Sequence, residues 1–280
     1  MSWVAYHAVG SVVTLAAIYR TGEGKLQVYN IVKADLFSRR ERVKHALRMV
    51  KLCSILPRLQ QRIGEGRDTD MFTHFRPDGS TIEFGETYVR KSYTQDREDG
   101  IDPIRHLEAV YELLVSKKVP NVDYLDKVVP VHPRGPYVQL KPIGLNNGPQ
   151  TALDIRNAVV CILEALKVAY AHPPVFHRDI RWPNVIQSRQ DLSKWFLIDW
   201  EDAASPPTKA AHHLNKVEHS QRVFEDGHGA EVDIWSVGRL LNAAPVQMRH
   251  PALTQLGQKL MQGLLVNAEQ ALKEILTIQV

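Results

Sequence analysis

One set of polar residues constrains this chain more than any other: His177-Arg178-Asp179, then Asn184, then Asp199 at the end of the apolar run Trp195-Phe196-Leu197-Ile198. A carboxylate that takes a proton from a hydroxyl, an amide oxygen and a second carboxylate are what phosphoryl transfer asks of a protein. The transferred group must be positioned, and its charge needs a hard cation held by oxygen ligands. The order and spacing predict Asp179 as general base and Asn184 and Asp199 as Mg²⁺ ligands. Taken singly each is commonplace, since an aspartate after an apolar run is an ordinary strand end with a turn behind it. A third segment in the right order ties them together, Asp233-Ile234-Trp235-Ser236-Val237-Gly238.

With that segment the chain resembles the protein kinase superfamily over most of its length. Asp233 to Gly238 is similar to the DxWSxG stretch that opens a central helix of the large lobe in that family. The resemblance implies an α+β, bilobal fold, with a small, mostly β lobe that binds ATP and a mainly α-helical lobe that carries the catalytic loop. Within the superfamily, the segments 177–185, 198–203 and 229–235 resemble the kinase domains of Crinkler-type effectors and their fungal and oomycete relatives. The implied division is 1–143 for an N-terminal extension and the small lobe, and 144–280 for the large lobe. The chain stops soon after the apolar, helix-like stretch from Gln255 to Ile278, so a shortened large lobe is expected. Asp233 is expected to brace the catalytic-loop backbone, with Trp235 as a further support. The implied activity is ATP- and Mg²⁺-dependent phosphorylation of serine or threonine on proteins, the chain itself included.

Short strands are expected at Met71 to Arg76, Thr81 to Phe84 and Thr87 to Tyr93, with a Pro77-Asp78-Gly79 turn between the first two. Lys91 sits where the family places a strand lysine that pairs the nucleotide phosphates, and alternation points Arg90 the other way. A glutamate should hold that lysine from the next helix, expected over Pro103 to Lys117 from the spacing of Ile104, Leu107, Val110, Tyr111 and Leu114. Glu108 and Glu112 are one turn apart and either can reach; family spacing favours Glu108, although Glu112 then falls where the family prefers an apolar residue. No GxGxxG precedes Lys91, and the hairpin holds only Gly79 and Gly85. Either nucleotide binding is weakened or a side chain such as Arg76 makes the phosphate contact instead. Tyr137 to Gly144 reads as a strand running into the hinge where the resemblance seats adenine, so Gly79 and Leu140 join Lys91 and Arg76 as nucleotide-binding candidates.

Elsewhere, Trp3 to Tyr19 suits a strand by its Val, Thr and Tyr content, Arg39 to Arg62 has helical spacing, and Gly64 to Asp70 is a polar link. Thr151 with Asp154 opens a long core helix in the manner of a capping box. Arg178 is the arginine of an RD-type catalytic loop; its guanidinium can receive a phosphate from the segment that follows, where Ser205, Thr208 and Ser220 are acceptors. Trp200 and Glu201 stand where the family has the phenylalanine and glycine of DFG, and the APE motif is degraded. The DWE form also resembles small-molecule kinases acting on choline or aminoglycosides. A pseudokinase scaffold is the alternative from another class; retention of Asp179, Asn184, Asp199 and Lys91 argues against it.

A net charge of +4 over 280 residues, without a long Lys/Arg block, calls for no nucleic-acid partner. Cys53 and Cys161 are too few for a disulfide framework, and the adjacent His212 and His213 lack the spacing that puts two imidazoles on one helix face. No apolar run reads as a signal peptide or membrane span, so the expected setting is cytoplasmic or nuclear, in a host cell for a true effector. The protein substrate and oligomeric state are not readable.

Overall fold

The chain divides into two compact units, residues 1–67 and 68–280. The structure, a computed structural model, describes residues 2–9, 11–20, 26–63, 72–76, 79–85, 87–94, 102–132, 135–145, 148–243, 245 and 248–280.

In the first unit, strands β1 (Ser2–Val9), β2 (Val12–Arg20) and β3 (Leu26–Asp35) form an antiparallel meander. The apolar opening read as one strand is thus two, paired from Ser2↔Tyr19 to Val9↔Val12. Helix α1 (Arg39–Ile63) follows, with the Ser38 hydroxyl oxygen accepting from the Glu41 amide at 3.4 Å. The polar link expected from Gly64 to Asp70 lies outside the described residues.

The second unit opens with strands β4 (Phe72–Phe75), β5 (Thr81–Phe84) and β6 (Val89–Ser92), helix α2 (Pro103–Ser116), and strands β7 (Tyr124–Val129) and β8 (Tyr137–Lys141). The sheet order is β4-β5-β6-β8-β7, antiparallel throughout. Of the expected β4–β5 turn, Pro77 and Asp78 lie outside the described residues. Gly79 takes φ +80°, a conformation open to glycine at little cost, and its amide donates to the Arg76 carbonyl at 3.1 Å. Alternation along β6 buries Lys91 on one face and sends Arg90 to the other, where it pairs with Glu83 at 3.0 Å and lies over the Tyr137 ring. Asp102 caps α2 by accepting from the Ile104 and Arg105 amides, and the helix buries Ile104, Leu107, Val110, Tyr111 and Leu114.

Helix α3 (Ala152–Ala169) begins with the Thr151/Asp154 capping box and is the centre of the core, with Val159, Leu163 and Leu166 fully buried. A hairpin of β9 (Val185–Gln187) and β10 (Trp195–Leu197) lies against it. Helices α4 (Glu231–Asn242), α5 (Pro251–Met261) and α6 (Ala268–Thr277) complete the unit. The single helix-like stretch expected from Gln255 to Ile278 is corrected to two helices. Gly263 at φ +72° ends the first, and Asn267 caps the second by accepting from the Gln270 amide at 2.9 Å. Leu264, Leu265 and Val266 between them kept the apolar spacing going in sequence. Architecture is mixed α/β, a sheet with one helix followed by helices with one hairpin. Among the described residues, no helix is long and apolar enough to cross a membrane.

Candidate active site

The loop between α3 and β9 is shaped from beneath. Asp233, in the first turn of α4, is fully buried and accepts from the His177 amide at 2.8 Å, the Arg178 amide at 2.7 Å and the Tyr170 hydroxyl at 3.1 Å. This is the bracing expected of it, and it satisfies two loop amides that no secondary structure pairs. Burial pushes the Asp233 carboxyl above its ordinary value, against the lowering effect of those hydrogen bonds. The Asp179 amide donates to His177 Nδ1 at 3.2 Å, so Nε2 carries the hydrogen and donates to the Ile198 carbonyl at 3.0 Å. Arg178 and Asp199 both take a left-handed backbone, φ +70° and +69°. A non-glycine residue there costs about 1–3 kcal/mol, which the surrounding bonds must offset.

Asp179 and Asn184 meet directly. The Asn184 amide nitrogen donates to the Asp179 carbonyl and to Asp179 Oδ2, both at 2.8 Å. The Asn184 carbonyl accepts from the Ile198 amide at 2.9 Å, which places Asp199 beside it. With both amide hydrogens committed, Asn184 Oδ1 accepts no hydrogen bond among the described residues and remains an oxygen available to a cation. Asn184 and Asp199 therefore fit Mg²⁺ by donor type, and phosphate oxygens and water would complete its shell. Among the described residues no group of three or more His, Cys, Asp or Glu side chains could hold a metal alone.

The lysine has found a different partner from the one expected. Lys91 Nζ lies 2.6 Å from Asp199 Oδ1 and 3.0 Å from Glu201 Oε1. Glu201 also accepts from Arg76 at 3.0 Å and from the Tyr93 hydroxyl at 2.7 Å, and Arg76 stands 3.6 Å from Asp199. Glu108 is half-buried and Glu112 exposed on α2, and neither pairs with Lys91. The face that α2 turns inward is apolar apart from Tyr111, whose hydroxyl donates to buried Asp123 at 2.9 Å. Burial would raise the Glu201 carboxyl, but Lys91 and Arg76 hold it down to about 2. Burial likewise works against charge on Lys91, and Glu201 with Asp199 reverses it, leaving the ammonium above its ordinary value.

The remaining expected residues divide between site and scaffold. Arg76 reaches the site, while Gly79 is exposed in the β4–β5 connection and Leu140 sits in the core on β8. A Cβ on Gly85 would press on the Tyr88 ring at 2.8 Å, so that glycine serves packing. Trp200 is fully buried, its ring edge-on to His177 at 4.6 Å. The Arg178 guanidinium donates to the Asp202 carbonyl and, at 2.9 Å, to the Lys209 carbonyl.

Four residues at the site were not among the expected ones: Glu201, Tyr93, Arg181 and His219. Tyr93 is two residues past Lys91 and shares its face of the strand, a period-two signal present in the sequence. Arg181 Nε lies 2.9 Å from Asp179 Oδ1, and His219 Nε2 lies 2.8 Å from the same oxygen. Burial would raise the Asp179 carboxyl, but His219 and Arg181 hold it below its ordinary range. Nothing local in the sequence marks His219.

No family model matches the chain. The chain is similar to a Crinkler effector over most of its length, which supports the Crinkler part of the resemblance. That relative is Crinkler effector protein 8 of Phytophthora infestans, 31% identical over 246 residues covering 86% of this chain. The chain spans 39% of that protein's length.

Proposed function

We propose that this chain is an ATP- and Mg²⁺-dependent kinase of the Crinkler-effector type, with a bilobal protein kinase fold, that phosphorylates serine or threonine on proteins, itself included. The carrying observation is the junction of Asp179, Asn184 and Asp199. One asparagine holds the base by its side-chain nitrogen and the strand end before Asp199 by its main-chain oxygen. In this reading residues 1–143 supply an N-terminal extension and the ATP-binding lobe, and 144–280 the catalytic lobe.

Each residue then has a task. Asp179 takes the hydroxyl proton, kept ionised by its donors. Lys91 and Arg76 bind phosphate oxygens. Asp233 and Arg178 hold the loop in place. Asn184 Oδ1 and Asp199 would hold Mg²⁺, which would supply charge neutralisation at the phosphates. Similarity to a protein named an effector supports a host-cell setting.

The test is phosphate incorporation from labelled ATP with Mg²⁺ into the protein itself and into a generic basic protein, beside Asp179→Asn and Asp199→Ala. Removing the base should cost about 10²–10⁴-fold in rate. Label lost in both variants supports the reading. No label above the variants, despite Mg²⁺-dependent ATP binding, points to a small-molecule acceptor; no nucleotide binding points to a scaffold.

A further inference from the structure

We propose that His219 is a positioning residue for the base, a doubly protonated imidazole that fixes the Asp179 carboxylate through Nε2 while Nδ1 anchors it to the Asn215 carbonyl. The inference rests on the reading of Asp179 as base and adds a residue from a part of the chain distant in sequence. Its ground is geometric. His219 Nε2 lies 2.8 Å from Asp179 Oδ1 and Nδ1 lies 2.8 Å from the Asn215 carbonyl oxygen. The side chain is 3% exposed, so water does not rescue an unsatisfied nitrogen.

Both ring nitrogens face acceptors. A neutral imidazole has one donor and one acceptor, and would aim a lone pair either at a carboxylate oxygen or at a carbonyl. Only the ring with two N–H groups satisfies both contacts, and the adjacent negative charge of Asp179 offsets its own. The charged groups around it are Asp179, Arg181 with Nε 2.9 Å from Oδ1, and Glu218, which faces Arg181 at 3.9 Å.

The arrangement gives each oxygen of the base one buried donor. Oδ1 receives His219 and Oδ2 receives Asn184. Arg181 touches both oxygens, but its side chain is 43% exposed to solvent. The carboxylate plane is therefore set by His219 and Asn184. Asn215 in turn is locked in a turn, its side-chain oxygen accepting from the Val217 amide at 2.9 Å and its carbonyl from the Glu218 amide at 3.0 Å.

The experiment uses the full chain with His219→Leu, which removes the donor, and His219→Gln, whose amide keeps one toward Asp179. Phosphotransfer kinetics are combined with ¹⁵N spectra of the imidazole rings, the His219 signals being identified by their loss in His219→Gln. The expected result for His219→Leu is a kcat lower by about 10-fold or more with the ATP KM within about twofold, and recovery of most of the rate in His219→Gln. In the spectra, both His219 nitrogens should carry protons at pH 7, and one proton should be lost in Asp179→Asn. Wild-type turnover in His219→Leu overturns the proposal, as does an equal loss of turnover and stability in both variants. A neutral His219 ring at pH 7 overturns it whatever the activity. Should wild type and Asp179→Asn both transfer no phosphate, the kinase reading fails on its own, and the ring spectra still decide whether His219 holds Asp179.

Discussion

Lys91 Nζ and Glu201 Oε1 lie 3.0 Å apart, so the strand lysine takes its glutamate from the segment after β10 and not from helix α2. Removing either partner leaves the other in a site with little water. Lys91→Met should abolish transfer and also destabilise the fold by about 2–3 kcal/mol in urea melts, because Asp199 and Glu201 keep Arg76 as their cation and Glu201 the Tyr93 hydroxyl, but both lose the ammonium. Glu108→Gln should leave both properties within about 0.5 kcal/mol of wild type. An equal effect of Glu108→Gln and Glu201→Gln would return the lysine to α2.

Glu201 also sets an acid limit. Its carboxyl is depressed from 4.5 to about 2 in the folded chain, so its contribution to stability is fully present above the unfolded value. That contribution is lost as pH falls from about 4.5 toward about 2, since the unfolded state then binds the proton first. Stability curves of Glu201→Gln should be flatter than wild type across that window and parallel to it above pH 5.

Asp123 has the opposite sign. Burial, opposed by the Tyr111 hydroxyl bond and by Lys91, pushes its carboxyl up from 3.8 to about 7. The folded state therefore holds a proton that the unfolded state releases, and stability should decline by up to ~1.4 kcal/mol per pH unit between about pH 4 and 7. Asp123→Asn should remove that slope while keeping an acceptor for Tyr111. Tyr111→Phe should cost about 1–3 kcal/mol at neutral pH, because the buried carboxyl loses its donor.

What could be read from sequence follows the range over which each interaction acts. The catalytic loop was legible because Asp179 and Asn184 meet within one turn of chain, and the capping box at Thr151 and Asp154 because both halves are local. Lys91 was placed by the family resemblance, with strand alternation setting Arg90 aside, but its pairing with Glu201 joins residues 110 apart and left only an unusual glutamate after Trp200 as a trace. His219 reaches Asp179 across 40 residues from a segment without periodicity. Strand β7 was missed because it carries Asp126 and Lys127 in its middle and a bulge between Leu125 and Lys127 breaks its alternation. Gly263 and Asn267 did mark the α5–α6 break, but the apolar residues between them outweighed it.

Gly238 gives a packing test. A Cβ there would stand 2.6 Å from the Gly257 carbonyl oxygen, and one on Gly257 would stand 2.8 Å from the Gly238 carbonyl oxygen. Helices α4 and α5 touch backbone to backbone. Alanine favours a helix interior by about 1 kcal/mol over glycine, yet the wedge it inserts costs about 1–3 kcal/mol or more. Gly238→Ala should therefore lower stability, and because α4 carries Asp233 it should also speed hydrogen exchange at the His177 and Arg178 amides.

Arg178 bears on regulation. Its guanidinium is engaged by the Asp202 and Lys209 carbonyls, so the segment after Asp199 is held by neutral main-chain acceptors. Of the three acceptors considered from sequence, Thr208 is buried with its hydroxyl donating to the His228 carbonyl, and Ser220 is buried with its oxygen accepting from the Arg222 amide; Ser205 is exposed. Phosphate on Thr208 would have to replace the hydroxyl that donates to the His228 carbonyl, and on either Thr208 or Ser220 it would have to be drawn out of the core, whereas Ser205 can be modified without either. Phosphatase-treated protein and Ser205→Ala should thus keep wild-type turnover, while Thr208→Val should lower stability by about 1 kcal/mol by orphaning the His228 carbonyl. Turnover that falls on phosphatase treatment and returns with phosphate mapped to Ser205 would show that Arg178 exchanges its carbonyl partners for a charged one.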